Sequence, residues 1–148
     1  MFKGFGDEEN APIAFTAGRP RILLVDDDVT FGKIMKKMAE RLELPLQYCS
    51  SVNELAALSK PNYDIGIFDY DLGTVTGLQL SDIVERYLGK IPVLLVSSYA
   101  RIEPKKWPDS VKGFVPKSKG FYAILSEACR VFQEKNQNTP TLSSAVTP

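Results

Sequence analysis

Histidine is missing altogether from these 148 residues. That absence excludes imidazole acid–base pairs, histidine metal ligands and any phosphohistidine carried by the chain itself, so chemistry here must use carboxylates, hydroxyls, amines or a metal. Cysteine is scarce: Cys49 and Cys129 stand far apart with no C-x-x-C spacing, and read as buried small hydrophobes of a reducing compartment rather than a disulfide. Long hydrophobic runs are lacking too. Stretches such as residues 93–96 (VLLV) fall far short of a membrane span, so the expectation is a soluble, cytoplasmic protein without membrane contact. Net charge is also absent, with 18 Lys plus Arg against 18 Asp plus Glu, which leaves no global field for nucleic acid or an anionic membrane.

What is present is 44% hydrophobic content, enough for one domain with a real core, and an alternation of short apolar runs with helical patterns. Residues 21–25 (RILLV) read as a buried strand that stops at Asp26, Asp27 and Asp28; Phe31, Ile34, Met35, Met38 and Leu42 then mark a helix face, capped by Asp28 or Thr30. Residues 46–49 form a second strand, and Ser51 to Glu54 has the capping-box spacing of a helix that continues through Leu58 and ends at Pro61. Ile65, Gly66, Ile67 and Phe68 make a strand that delivers Asp69 to its end. A loop containing Gly73, Thr74, Thr76 and Gly77 follows, then a helix through Leu78, Leu80, Ile83, Val84 and Tyr87 that Gly89 stops. After Pro92, residues 93–96 run into Ser97 and Ser98.

Pro104 and Pro108 break any helix between Tyr99 and Lys112. Residues 113–116 read as an edge strand, because Pro116 has no N–H for a ladder, and Lys117 stands at its end. Ser118 is placed to cap a last helix with Phe121, Ile124, Leu125, Ala128 and Phe132 on its apolar face. The expected division is an N-terminal arm over 1–20, anchored through Phe2, Phe5, Ile13 or Phe15; a domain over 21–132; and a polar tail or linker over 133–148.

Strands alternating with helices imply a parallel α/β sheet covered on both faces, and such a sheet points every strand's C-terminal end to one edge. Asp26 and Asp27, Asp69, Ser97, and Lys117 all stand at expected strand ends. Each alone has a plainer reading: a solvated acidic turn and cap, a loop aspartate satisfying amides, a turn serine, a surface lysine. Together they describe a site. Clustered carboxylates repel unless a cation neutralises them, and Mg2+ suits them because it takes oxygen ligands and keeps positions for water and phosphate. Lys117 and Ser97 suit a phosphoryl group, and Asp69 is the candidate nucleophile that would form an acyl phosphate.

These motifs, in this order and near this spacing, resemble the receiver domain of response regulators in two-component signalling, over residues 21–132. VDDD resembles the acidic pair, with Asp26 and Asp27 as metal ligands or their water-linked supports. FDYDLGTVTG resembles the phosphoacceptor loop, LLVSSYA places Ser97 at the switch hydroxyl, and GFVPKS places Lys117 at the phosphoryl charge partner and Phe114 at the aromatic switch. The resemblance implies a flavodoxin-like doubly wound sheet of five parallel strands in the order 2-1-3-4-5, with a short or irregular helix before the last strand. It implies Mg2+ as cofactor, a sensor histidine kinase or histidine phosphotransfer protein as phosphodonor, and a downstream protein target or an output domain as receiver of the signal. It further implies that Asp71 offers its backbone carbonyl to Mg2+, and that Asp71 and Tyr99 flank the hydrolytic water. Such a chain is a phosphoacceptor rather than an enzyme, limited to self-phosphotransfer and slow autodephosphorylation, with no direct nucleic-acid binding.

Three departures from the pattern stand out. Gly73 replaces a proline, which loosens the loop after Asp69. Ser118 replaces the proline after the lysine; a cis bond there without proline would cost about 2.5 to 4 kcal/mol, so a trans or strained bond is expected. The proline-broken segment weighs against a homodimer through its face and leaves Trp107 either as a docking surface or as a cover for the core. Two other functions stay open: a receiver-like adaptor that is never phosphorylated, and a haloacid-dehalogenase-like phosphatase with Asp71 as acid–base residue. The second is disfavoured because here the acidic pair precedes the D-x-D motif.

Overall fold

The computed structural model describes Ile13 and residues 18–58, 62–72, 76–98 and 107–137. The expected arm anchors Phe2, Phe5 and Phe15, the loop residue Gly73, the site residue Tyr99, the helix stop Pro61, most of the proline-broken segment and the tail beyond 137 lie outside the described residues.

Five strands, β1 (Ile22–Val25), β2 (Leu46–Cys49), β3 (Ile65–Asp69), β4 (Val93–Ser97) and β5 (Val111–Pro116), form one sheet in the order β2-β1-β3-β4-β5, every pairing parallel. The helices are α1 (Val29–Arg41), α2 (Val52–Ala56), α3 (Gly77–Leu88) and α4 (Phe121–Gln137), with a 3-10 turn over Lys117–Lys119. The inner strands β1, β3 and β4 are buried along their whole length, as their unbroken apolar runs require, whereas β2 and β5 are edges of mixed exposure.

Strand alternation divides the core in two. Ile22, Leu24, Ile65, Ile67, Leu94 and Val96 pack against Phe31, Met35 and Ala39 of α1 and Ile124, Leu125 and Ala128 of α4. Leu23, Val25, Phe68, Val93 and Leu95 face Leu55 of α2 and Leu80 and Val84 of α3. Each fully buried side chain of this size contributes about 1.5 to 3 kcal/mol, so two filled layers supply the main driving force for the sheet. Ile13 packs on the first cluster and Trp107 on the second, so Trp107 covers core. Both cysteines are free and buried.

Several boundaries differ from the sequence expectation. The last strand begins at Val111 because a register shift lies between Val93 and Leu94: Val93 pairs with Val111 and Leu94 with Gly113, so Lys112 bulges and hides the strand period. Ser118 does not cap the last helix. It lies in the 3-10 turn, and Gly120, at φ 102°, redirects the chain so that its carbonyl accepts the first helical bond from the Ile124 amide at 3.2 Å. The helix runs on to Gln137, past the expected domain edge at 132, and buries Cys129 and Val131 besides the expected face. Ile34, expected on the apolar face of α1, is exposed, and Gly32 and Ala39 are buried instead. α2 stops at Ala56, before Leu58.

Candidate functional site

Register assembles the site. Ile22 pairs with Ile65, Leu24 with Ile67 and Val25 with Phe68, so continuing one residue sets Asp26 beside Asp69 at the C-terminal edge of β1 and β3. Alternation also gives both the same side as Ile22, Leu24, Ile65 and Ile67, on the α1 and α4 face. Asp69 in turn pairs with Val96, and Ser97 with Pro116, so buried Ser97 and then Lys117 arrive one step further along the same edge.

Lys117 Nζ lies 2.9 Å from Asp26 Oδ2 and 3.7 Å from Asp69 Oδ2. It also stands 4.5 Å from the centre of the Phe31 ring, which packs against Phe121 at 5.3 Å. Asp26 is wholly buried. Its Oδ1 accepts the Asp28 amide at 2.9 Å, and its Oδ2 meets Lys117 at ion-pair distance but without hydrogen-bond alignment, and has no other partner among the described residues. Asp69 Oδ1 accepts the Asp71 amide at 3.3 Å. Asp28 caps α1, its Oδ1 accepting the Phe31 amide at 3.1 Å, and so leaves the other two acids of the triplet to the site.

Burial, then the charge of Asp26, pushes Asp69 up to about 7; the ammonium of Lys117 and the Asp71 amide only partly offset this. Asp26 is raised chiefly by burial, against the opposing pull of Lys117 and the Asp28 amide. For Lys117 burial acts downward, but its contact with Asp26, together with the charges of Asp26, Asp69 and Asp28, outweighs it and holds the ammonium above its ordinary value. The site therefore has more buried negative charge than one ammonium neutralises. Carboxylate oxygens of Asp26, Asp27 and Asp69 come within 4.8 Å of one another. An all-oxygen donor set whose carboxylates outnumber the one ammonium facing them fits a hard cation such as Mg2+.

Of the residues singled out in the sequence, the carboxylates of Asp26, Asp27 and Asp69 converge, Lys117 meets Asp26 and Asp69, and Ser97 stands at the same edge. Asp71 is exposed and engages through its amide, while Phe114 is half-buried on β5 and packs on the second core cluster. The Lys117–Ser118 peptide is trans. Two residues at the site were not singled out for it. Phe31 read only as a core position, and Tyr48 carried no signal, because each reaches the site from another element. A third sign was readable: Thr76 and Gln79 form a reciprocal capping box that starts α3 and closes the loop after Asp69.

No family model matches the chain. In sequence it is similar to the putative two-component response regulator ARR21 of Arabidopsis thaliana, 29% identical over 65% of this chain and 16% of the relative. The chain spans only 15% to 18% of the length of the curated relatives it matches, all response regulators of that plant. In fold it is similar to the CheY-like receiver domain protein of Methanospirillum hungatei, with a TM-score of 0.66 at 18% identity, covering 82% of this chain and 99% of that one. Another neighbour is the response regulator protein TrrA of Thermotoga maritima, solved in complex with Mg2+ and BeF, with a TM-score of 0.58 at 19% identity over 80% and 97% of the two chains. Strand order, fold neighbours and sequence relatives together support a response regulator receiver domain.

Proposed function

We propose that this receiver domain accepts a phosphoryl group on Asp69 from a phosphohistidine of a sensor histidine kinase or histidine phosphotransfer protein, and that the acyl phosphate switches a protein-interaction face. The observation that carries the reading is the meeting of three carboxylates and one ammonium at the end of the central strands. The fold shared with TrrA supports Mg2+ as the cation. Asp26, Asp27 and Asp69, with the backbone carbonyl of Asp71, would hold Mg2+, which supplies charge neutralisation for the phosphoryl oxygens.

The remaining roles follow from the chain's own groups. A carboxylate oxygen of Asp69 attacks phosphorus. The P–N bond of the donor breaks, its electron pair stays on the imidazole nitrogen, and that nitrogen takes up a proton. Lys117 receives the new charge on the phosphoryl oxygens, and the Ser97 hydroxyl donates to one of them. Phe114, beside Leu95 in the ladder, repacks and carries the change to the β5 edge. A few kcal/mol of differential interaction is enough for such a two-state shift. Asp71 and Tyr99 tune the lifetime of the acyl phosphate against hydrolysis. Residues 21–132 with the rest of α4 make the receiver unit, 1–20 an arm, and the remainder a polar tail or linker.

The test is intact mass after incubation with Mg2+ and acetyl phosphate, for wild type and Asp69→Asn. One phosphoryl adduct, present only in wild type, is the expected result. No adduct in either protein, with Mg2+ also without effect, would leave a receiver-shaped adaptor. Turnover of small phosphomonoesters would turn the reading to a phosphatase.

A further inference from the structure

Tyr48 stands on the edge strand β2, outside the carboxylate cluster, yet its hydroxyl donates to the backbone carbonyl of Asp26 at 2.7 Å and lies 3.5 Å from that of Asp28. The ring reaches there across the first turns of α1, and residue 32 makes the passage: a Cβ on Gly32 would lie 2.1 Å from the ring carbon that bears the hydroxyl. Glycine inside a helix costs about 1 kcal/mol relative to alanine, so its presence here needs a reason. Two features with no connection in sequence, a helical glycine and a strand-end tyrosine, are one arrangement.

The carbonyl that Tyr48 holds belongs to the Asp26–Asp27 peptide plane. Fixing that plane fixes the N and Cα of Asp27, and with the next peptide held through the Asp28 amide on Asp26 Oδ1 it restricts the direction in which the Asp27 side chain leaves the backbone. Asp26 is already held by burial, by Lys117 and by the Asp28 amide, and its own amide donates to Cys49 O at 3.1 Å. Asp27 is the exposed member of the cluster and has no burial to hold it, yet its carboxylate comes within 4.8 Å of the other two.

We propose that Tyr48 is a positioning residue for the cation site, its hydroxyl holding the Asp26–Asp27 peptide so that the Asp27 carboxylate converges with those of Asp26 and Asp69. The inference rests on the reading of that cluster as a Mg2+ site. Partners hydrogen-bonded to a metal ligand are worth about 10- to 100-fold in metal affinity, and one that holds the ligand's backbone belongs at the low end of that range.

The experiment titrates Mg2+ into metal-free protein, followed by amide chemical shifts, for wild type and Tyr48→Phe. Phenylalanine keeps the ring over Gly32, so the fold persists, which near-ultraviolet circular dichroism checks. The expected result is about tenfold weaker Mg2+ binding, with faster hydrogen exchange at the Asp28 amide in the metal-free variant. In an Asp27→Ala background the hydroxyl has no carboxylate to direct, and adding Tyr48→Phe should then change the residual affinity by no more than about twofold. Tyr48→Phe with wild-type Mg2+ affinity, or an undiminished effect in the Asp27→Ala background, overturns the inference and leaves the site reading standing. A wild-type protein indifferent to millimolar Mg2+ overturns the site reading, and the inference with it.

Discussion

Lys117 is one ammonium facing two buried carboxylates at 2.9 and 3.7 Å, with the Phe31 ring on another side. Removing it leaves Asp26 fully buried with no counter-charge among the described residues. Lys117→Ala should therefore lower stability at pH 8 by on the order of 3 kcal/mol in the absence of divalent cations. The loss should shrink at pH 5, where Asp69, pushed up to about 7, takes up a proton and so relieves the charge beside Asp26, and Mg2+ should recover part of it at pH 8. Urea unfolding at the two pH values checks both signs; a loss that does not depend on pH would show that Lys117 acts through packing alone. At this scale the sequence displays the charged residues, since each ends an apolar run. It does not display Phe31 or Tyr48 as site residues, because a cation–ring contact and a hydroxyl-to-carbonyl bond join elements whose distance in sequence says nothing of their distance in space.

The pairing of α1 with β2 depends on Gly32, which is buried and lies under the Tyr48 ring. Alanine is the better helix former by about 1 kcal/mol, so Gly32→Ala would stabilise an isolated α1. In the folded protein the three ring atoms nearest the new Cβ lie at 2.1, 2.4 and 2.6 Å, and the ring must swing away. The expected outcome is a net destabilisation of about 1 to 3 kcal/mol, with amide shifts at residues 26–28, read by thermal melting and two-dimensional NMR. A stabilised variant would show that the ring moves freely and that the helix, not the packing, decides. Element boundaries show the same division. The N-caps Asp28, Ser51 and Thr76 are local side-chain chemistry. The bulge at Lys112 and the turn at Gly120 that sets aside Ser118 answer to where strand and helix must dock.

For the molecule as a whole, the site costs stability in its metal-free state. Asp69 titrates near 7 in the fold against about 4 in the unfolded chain, and Asp26 is raised as well. Between these values the unfolded chain holds fewer protons than the folded one, so stability falls as pH rises from about 4 to 7, and the raised Asp26 acts in the same direction. Metal-free protein in chelator should show a lower urea midpoint at pH 8 than at pH 5; Asp69→Asn should raise the pH 8 midpoint and flatten the slope, and Mg2+ should raise it in wild type. A wild-type midpoint that climbs steadily to pH 8 without metal would contradict the raised carboxyls. Hydrophobic period and strand termination are written locally, so the parallel α/β class, the succession of elements and the acids, hydroxyl and lysine at the strand ends could all be read along the chain. That Asp26 lies beside Asp69, that Lys117 bridges them and that Tyr48 bonds the backbone of the acidic loop are facts of the folded chain. Those facts depend on strand register, on the face each residue takes and on the empty space at Gly32, and all three come from packing between elements far apart in the chain.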